Sequence, residues 1–220
     1  MVLITPILRL LKRSQPSVEL TVIADAIGYE VLLNNPHIDQ LVVIDRNQHR
    51  RLSLAKRLQK ELHFLSDLRA KQFDIAADLF GGPRSALMAL LSRAPIRCGE
   101  YTPKRLRNRF YTHCAPVSRE GEHLVLQKLK IIQSLITGPV GDIPLELFLT
   151  EEEKEWGIQC LNRYEIRQGV VLVGFFPGAG WGYRRWPPEK FAALGDRLTK
   201  SLGVRIVLIG GIGDREACQQ

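Results

Sequence analysis

The most restrictive feature of this 220-residue sequence is a strand–loop–helix pattern near its C-terminal end. Residues 169–176 (GVVLVGFF) form a short, β-branched apolar run, which is typical of a buried strand. The next residues, PGAG, break regular structure and let the backbone approach another group closely. Pro187 and Pro188 suit the first turn of a helix, where a missing N–H costs nothing. We therefore predict a helix over about residues 188–201, with a glycine-containing loop in front of it.

The loop between this strand and helix carries two adjacent cations, Arg184 and Arg185. Free N–H groups at a helix start and bidentate guanidinium groups both favour a phosphate or diphosphate. The alternative is an ordinary surface loop whose arginines are solvated. Trp181 and Trp186 count against that alternative, since two indoles in six residues are unusual in a solvated loop. Either indole fits stacking on a base or sugar, or packing against the helix.

Charge is unevenly distributed along the chain. The formal net charge is +8, of which residues 1–150 contribute +7 (21 Lys+Arg against 14 Asp+Glu) and residues 151–220 contribute +1. The first part therefore favours an anionic partner: nucleic acid, an anionic membrane surface or a phosphorylated substrate. No run approaches the roughly 18 apolar residues of a transmembrane helix. The four cysteines are far apart, which favours free thiols over a zinc site or disulfides.

Hydrophobic patterning predicts alternating strands and helices, which is typical of an α/β fold with parallel sheets. The predicted strands are residues 19–24, 40–45, 73–79, 96–99, 145–149, 169–176 and 204–209. The predicted helices are residues 5–15, 26–34, 52–72, 83–91, 123–136, 151–164 and 188–201. Thr5 is expected to cap the first helix, with Pro6 at its first position. Glycine and proline at residues 138–141 mark a linker before a domain boundary at residue 149.

Two further segments carry candidate functional residues. Asp78 and Gly81 lie at the carboxyl end of a predicted strand, where open α/β sheets bind ligands. Asp78 is expected either to orient a sugar hydroxyl or to cap the helix at residues 83–91. Residues 101–113 interleave cations with aromatic rings, which suits nucleic acid, but no recognised nucleic-acid motif accompanies them. An anionic glycolipid fits this basic segment as well.

The segment PGAGW, two further residues and RRWPPEKFAAL resembles the signature loop of glycosyltransferase family 9, the ADP-heptose:lipopolysaccharide heptosyltransferases. Arg184 stands where the family usually has lysine, so a cation is kept although the two side chains are not equivalent. The opening TPILR, the run NPHIDQLVVID and the Asp-x-x-Gly-x-x-Arg-Ser spacing from Asp78 to Ser85 also resemble the family. The likeness extends over nearly the whole chain.

The resemblance implies a GT-B-like α/β fold with two Rossmann-like parallel-sheet domains. The first domain, residues 1–149, is expected on the acceptor side and to lack its first strand. The second, residues 150–220, is expected to be the start of the nucleotide-sugar-binding domain and to be incomplete. The family's proposed catalytic aspartate aligns upstream of Met1, so we name no catalytic residue in this chain.

The resemblance also implies the reaction, which is transfer of a heptose from ADP-heptose to the inner core of lipopolysaccharide. The expected donor-binding residues are Ala179, Gly180, Trp181, Arg184 and Arg185. The expected acceptor-binding residues are Arg46, Arg50, Arg51, Asp78 and Gly81. For the three acceptor-side arginines, the alternative is a solvated basic face. No cofactor and no metal is expected, and the expected location is the cytoplasm, at the anionic inner face of the cytoplasmic membrane.

Because we identify no convincing catalytic base in this chain, we expect the 220 residues alone to be inactive or very weakly active. Two other classes of function stay open. One is a non-catalytic protein of this fold that binds a nucleotide or an anionic glycolipid. The other is a basic nucleic-acid-binding protein, which is disfavoured because no aromatic residue lies among the cations of residues 46–60.

Overall fold

A computed structural model describes residues 1–44, 53–117, 121–166, 169–215 and 218. The chain divides into two compact units, Met1–Thr150 and Glu151–Gln220. This division falls one residue from the boundary expected at residue 149. Every strand pair among the described residues is parallel, so the predicted α/β class with parallel sheets is confirmed.

The first unit alternates strands and helices. Its strands are β1 (Thr21–Asp25), β2 (Gln40–Ile44), β3 (Ile75–Ala77), β4 (Ile96–Tyr101) and β5 (His113–Pro116). Its helices are α1 (Thr5–Ser14), α2 (Ala26–Leu32), α3 (Leu54–Ala70), α4 (Pro83–Leu91) and α5 (Leu124–Ile132). The sequence patterns do not predict β5, because its four residues, HCAP, show no apolar alternation and end in proline.

The strands of the first unit form two sheets. β1 pairs with β2, with Thr21 opposite Gln40 and Asp25 opposite Ile44. β4 lies between β3 and β5. Within the described ranges, no hydrogen-bonded ladder joins β1 to β3. Because neighbouring strands are parallel, their carboxyl ends meet at one edge of each sheet, where loops carry side chains together.

Helix α1 packs against both sheets of this unit. Ile7 and Leu10 belong to the buried cluster that contains Cys98 of β4. Leu8 belongs to the cluster that contains Ala24 of β1. A single amphipathic helix therefore covers the two sheets with different side chains.

The segment before the boundary differs from the prediction. Residues 145–149 have no regular secondary structure, so the predicted strand there is wrong. The segment is held through side chains of α1: Arg9 Nη1 donates to Glu146 Oε1 at 2.5 Å. The backbone N–H of Glu146 donates to Thr5 Oγ1 at 3.0 Å. The predicted cap at Thr5 is also wrong, because Ile4 occupies the N-cap position.

The main elements of the second unit within the described ranges are two helices and two paired strands. These are α6 (Glu151–Arg163), β6 (Leu172–Phe175), α7 (Pro188–Leu202) and β7 (Arg205–Leu208). Phe175, the last residue of β6, is buried and lies 5.4 Å from the ring of Phe191 on α7. Gly203 ends α7 with φ +66°, the left-handed conformation that glycine allows. The predicted strand–loop–helix pattern is confirmed.

Candidate functional site

The loop between β6 and α7, residues 176–187, lies at the carboxyl edge of the β6–β7 sheet. The turn that follows β7 lies at the same edge and contains a 3-10 segment at Ile212–Asp214. Parallel pairing brings these two connections together, although 30 residues of sequence separate Arg184 from Asp214. We call residues 176–187 the cationic loop.

Asp214 is the contact between the cationic loop and the turn after β7. A Cβ atom at Gly178 would lie 2.3 Å from the Asp214 carboxylate, so only glycine fits this position without a shift. The Asp214 carboxylate accepts the N–H of Gly211 at 3.1 Å and the Arg185 Nη2–H at 3.4 Å. The patterns of residues 210–214 do not assign this role to Asp214, because its partner lies in another loop.

Arg185 contacts other residues of the protein and is also partly exposed to solvent. Its Nε–H donates to the carbonyl of Ala179 at 3.4 Å, and its Nη2 pairs with Asp214. Both side chains of the pair stay partly accessible, with 42% of Arg185 and 21% of Asp214 exposed. Arg185 therefore joins the two loops, and part of its charge is compensated before any ligand binds.

Arg184 differs from its neighbour. It ends the 3-10 turn Gly182–Arg184, is exposed and lies with its guanidinium 5.7 Å from the centre of the Tyr183 ring. It forms no ion pair with a carboxylate in the part of the chain that the structure describes. An uncompensated guanidinium on an exposed turn is the stronger anion-binding group of the two.

The start of α7 offers fewer N–H groups than the sequence suggests. Pro187 and Pro188 have none, and the N–H groups of Lys190 and Phe191 both donate to the carbonyl of Pro187, at 3.0 and 3.3 Å. Glu189 adds a carboxylate in the first turn, which disfavours an anion there. The expected contribution of the helix start is therefore small.

The loop backbone supplies donors instead. Ala179 and Gly180 donate their N–H groups to no acceptor among the described residues, and Gly180 is exposed. A Cβ at Gly180 would meet nothing within 4 Å, so open space adjoins this part of the backbone. These two amides, on the same loop as Arg184, form a donor set that suits phosphate oxygens.

The two indoles of the loop take different environments. Trp186 packs edge-on against Phe191, with ring centroids 4.9 Å apart, so it belongs to the helix contact. Trp181 is 64% exposed and lies 6.3 Å from the Tyr183 ring at an interplanar angle of 28°. Tyr183, itself 79% exposed, was not among the predicted residues. The aromatic-rich run GWGYRRW is the sequence signal that points to it.

On the first unit, Asp78 follows β3 and is buried, with 5% of its surface exposed. Its Oδ1 accepts the N–H groups of Phe80 at 3.0 Å and Gly81 at 2.9 Å. Its Oδ2 accepts the Tyr111 hydroxyl at 2.6 Å. Gly82 occupies the N-cap of α4, so the prediction that Asp78 caps this helix is wrong. Asp78 instead organises the turn in which Gly81 adopts φ +75°.

Tyr111 is the second buried member of this group. Burial and the hydrogen bond to Asp78 raise the pKa of the Tyr111 phenol well above its usual range. A Cβ at Gly99 would lie 2.4 Å from a carbon of its ring, so the ring rests against the backbone of β4. Glu100 is also buried, and its Oε2 would lie 3.0 Å from a Cβ at Gly81. Sequence reasoning missed Tyr111 and Glu100 as members of this buried group.

The three acceptor-side arginines Arg46, Arg50 and Arg51 lie outside the described residues. In the described ranges, no helix is both long enough and apolar enough to cross a bilayer. The same ranges contain no group of three or more His, Cys, Asp or Glu side chains arranged to hold a metal ion.

Residues 62–220 match the family described as Glycosyltransferase family 9 (heptosyltransferase). The chain is 22% identical over 216 residues to lipopolysaccharide heptosyltransferase 3 of Escherichia coli, covering 96% of this chain and 60% of that protein. It is 26% identical over 215 residues to lipopolysaccharide heptosyltransferase 2 of Escherichia coli strain K12, covering 95% of this chain and 59% of that protein. The chain thus spans about 60% of the length of these relatives.

The fold is similar to that of solved structures. A glycosyl transferase family 9 protein from Veillonella parvula superposes with a TM-score of 0.83 at 25% identity, covering 99% of this chain and 61% of the other. The structure of Escherichia coli ADP-heptose LPS heptosyltransferase II superposes with a TM-score of 0.73 at 22% identity, covering 100% of this chain and 63% of the other.

Proposed function

Because the chain belongs to glycosyltransferase family 9, we propose that it takes part in the transfer of a heptose from ADP-heptose to the inner core of lipopolysaccharide. The observation that carries this proposal is the donor set of the cationic loop. Arg184, exposed and uncompensated, lies on the same loop as the free N–H groups of Ala179 and Gly180. The curated relatives are named as lipopolysaccharide heptosyltransferases, which supports the choice of sugar and acceptor.

The chemistry explains why such a loop is needed. In glycosyl transfer the bond from the sugar to the diphosphate breaks, a bond to the acceptor oxygen forms and the acceptor proton passes to a base. Negative charge grows on the departing diphosphate, so fixed cations and amides at that place lower the barrier. Arg184 and the amides of Ala179 and Gly180 are our donor-phosphate residues, with Arg185 in a weaker role because of its contact with Asp214. Trp181 adds an exposed ring face for the base or sugar.

The acceptor side is proposed to lie on the first unit. Its excess of cations over acids, +7 over residues 1–150, suits a phosphorylated glycolipid at an anionic membrane surface facing the cytoplasm. Arg46, Arg50 and Arg51 remain proposed acceptor contacts. Gly81 remains a proposed acceptor-side residue, and Asp78 is proposed to position it through the N–H contact at 2.9 Å.

Binding of ADP tests the donor assignment. Titration calorimetry and the fluorescence of the three tryptophans report this step, since all three lie in the second unit. Arg184→Gln is expected to weaken ADP binding by about tenfold, which corresponds to about 1.4 kcal/mol. Arg205→Gln is the matched control, because Arg205 is exposed at the opposite, amino end of β7. Equal affinities of the two variants would remove the donor role of Arg184.

A transfer assay distinguishes an enzyme from a binding protein. Both oxygens of Asp78 are already engaged and Asp214 is paired with Arg185, so neither carboxylate stands ready as a base. We therefore expect the 220-residue chain by itself to transfer heptose weakly or not at all. ADP binding without turnover by a longer chain would favour the alternative, a non-catalytic nucleotide- or glycolipid-binding protein. Robust turnover by the 220-residue chain would refute the expected inactivity.

A further inference from the structure

Residues 102–110, which follow β4, form a second cationic segment that the donor assignment does not use. The segment contains Lys104, Arg105, Arg107 and Arg109, and no acid occurs in the sequence between Glu100 and Glu120. We call residues 102–110 the basic loop. It leaves the carboxyl edge of the β3–β4–β5 sheet, the edge that also carries Asp78, and it runs to Tyr111, whose hydroxyl donates to Asp78.

The basic loop is a built structure. The side-chain amide of Asn108 donates to the carbonyl of Thr102 at 2.7 Å, and its oxygen accepts the Thr102 N–H at 3.1 Å. Arg107 Nη2 donates to Thr102 Oγ1 at 2.7 Å. Leu106–Phe110 forms a 3-10 turn, and Arg97 Nε of β4 donates to the carbonyl of Phe110 at 2.7 Å. These bonds fix both ends of the loop, so its cations are held in place before a ligand arrives.

The charges of the loop point to open space. Lys104, Arg105 and Arg109 are exposed and form no ion pair with a carboxylate of the described chain. An open surface depression of about 320 Å³ is lined by Lys104, Arg105, Leu106, Asn108 and Arg109. Like charges this close repel one another, and an anion bound between them removes that repulsion.

One residue of the basic loop has a strained backbone. Lys104 adopts φ +59°, a conformation that side-chain-bearing residues rarely take and that occurs often at ligand clamps.

Nucleic acid fits the loop less well than a phosphate group does. Binding of single strands needs exposed aromatic rings on which bases stack. Tyr111 is buried against Gly99 and Phe110 is half-buried and packs with it, so these two rings are occupied. Tyr101, 47% exposed, is the aromatic ring that remains near the loop.

We propose that the basic loop binds the phosphate groups of an anionic ligand in the open depression between Lys104, Arg105 and Arg109. This inference rests on the proposed function, because within that function the basic loop is the subsite for a phosphate of the acceptor. The shared chemistry is a phosphate monoester, carried either by a phosphorylated saccharide or by an anionic lipid headgroup. The basic loop belongs to the first unit and the cationic loop to the second.

Titration with inorganic pyrophosphate, followed by the backbone amide NMR signals of residues 102–110, tests the site directly. We expect these signals to shift and saturate. Arg105→Gln/Arg109→Gln is expected to weaken the affinity seen at these amides by about tenfold or more. The matched control is Lys56→Gln/Arg57→Gln, which removes the same charge from an exposed stretch of α3 and is expected to change it by less than about twofold. Equal losses in the two double variants would overturn the site in favour of general electrostatic attraction.

A neutral substitution separates geometry from net charge. Asn108→Ala keeps every cation but removes both bonds to Thr102, so we expect pyrophosphate affinity to fall by about threefold or more. Retention of the circular dichroism spectrum and melting temperature shows that this variant is folded. Unchanged affinity in the folded variant would refute the built site.

Further probes identify the source of the phosphate. A phosphorylated glucosamine disaccharide is compared with phosphatidylcholine vesicles that contain or lack phosphatidylglycerol, each with the wild type and Arg105→Gln/Arg109→Gln. If binding of the disaccharide depends on the two arginines, the ligand is a saccharide phosphate. If binding of the phosphatidylglycerol vesicles depends on them, the ligand is a lipid headgroup. Tighter, arginine-dependent binding of a single-stranded RNA than of either probe would overturn the assignment. We expect ADP affinity to stay unchanged in Arg105→Gln/Arg109→Gln, so failure of this site and failure of the donor proposal are distinguishable.

Discussion

The two units of the chain use similar strand–helix connections but bury their apolar residues to different extents. In the first unit, Ile7, Leu32, Ile132 and Cys98 are fully buried. In the second, Phe175 and Val204 are the buried large apolar residues of the described ranges, and α6 contains no buried residue. Parallel sheets require cover on both faces, and the two strands and two helices described for the second unit bury few side chains. The comparison teaches that the same local pattern yields a core only where enough elements converge.

The difference in burial also separates the two proposed ligand sites. The basic loop is closed internally by the bonds between Asn108 and Thr102, and the bond from Arg97 Nε to the Phe110 carbonyl attaches it to β4 of the well-buried unit. The cationic loop belongs to the unit with few buried contacts and depends on the exposed Arg185–Asp214 pair. Regions with few buried apolar contacts open at lower free energy than the core. We therefore expect hydrogen exchange to be faster in residues 176–187 than in residues 102–110.

The largest expected effect concerns the core of the first unit. Ile7→Ala removes a fully buried side chain of α1 and is expected to lower the free energy of unfolding of this unit by about 2–5 kcal/mol. Ile158→Ala on α6 makes the same chemical change where the side chain is 59% exposed, with an expected effect within about 0.5 kcal/mol. Urea unfolding followed by hydrogen exchange of each unit measures both. Similar losses of stability in Ile7→Ala and Ile158→Ala would show that the difference in burial between the two units does not affect stability.

A smaller effect is expected in the core of the second unit. Phe175→Ala removes the ring that contacts Phe191 and is expected to lower the stability of this unit by about 2 kcal/mol, less than in a closed core because water reaches the site. Phe176→Ala is the adjacent control, since Phe176 is 66% exposed. Tryptophan fluorescence during urea unfolding follows this unit, and Trp186 contacts Phe191. A loss in Phe176→Ala as large as in Phe175→Ala would contradict the packing described.

Tyr111→Phe tests the polar group of the first unit. The variant lacks the hydroxyl that donates a hydrogen bond to Asp78 Oδ2 at 2.6 Å. We expect the free energy of unfolding to fall by about 1–2 kcal/mol near neutral pH. Because the pKa of Tyr111 is raised in the folded state, its stabilising contribution is present below the usual tyrosine pKa of about 10. It is lost as the pH rises toward the folded-state pKa. The advantage of the wild type over the variant should therefore shrink above about pH 10, as measured by urea unfolding; a constant difference would contradict it.

The smallest expected effect is at the partly exposed Lys12–Asp39 pair, in which Lys12 Nζ lies 2.6 Å from Asp39 Oδ2. The hydrogen bond from Lys12 and the N–H of Leu20 lower the pKa of Asp39. Asp39→Asn is expected to lower the stability of the first unit by at most about 1 kcal/mol. A lowered pKa stabilises the fold above the usual value, and this contribution disappears as the pH falls through the folded-state pKa. Asp67→Asn, in an exposed pair with His63, is the control; a larger loss there would contradict the ranking.

Much of the second unit could be predicted because its determinants are local. The apolar run before Phe176, the glycines after it and the Pro187-Pro188 pair specify strand, loop and helix within 30 residues. The same reasoning overestimated the helix start as an anion site, because it did not include the bonds that Lys190 and Phe191 make to Pro187. The error concerned hydrogen-bond partners, which a residue pattern does not specify.

The first unit shows where local reasoning stops. Residues 145–149 are mostly apolar, a pattern that predicts a strand, but Glu146 bonds to Thr5 and Arg9, more than 130 residues away. Tyr111 reaches Asp78 across 33 residues, and β5 has too short a pattern to recognise. Such contacts depend on which elements meet in space, so the sequence separation hides them.

By itself, the sequence determined the α/β class, most element positions, the likeness to glycosyltransferase family 9 and the cation-rich loops, because periodicity, turn residues and charge act over a few neighbouring residues. Only the tertiary structure decided which charges are free. It paired Arg185 with Asp214, gave Arg184 no carboxylate partner among the described residues and buried Asp78, which accepts the Tyr111 hydroxyl. The physical reason is that compensation of a charge requires a partner within a few ångströms, and parallel sheets bring distant loops to one edge to supply it.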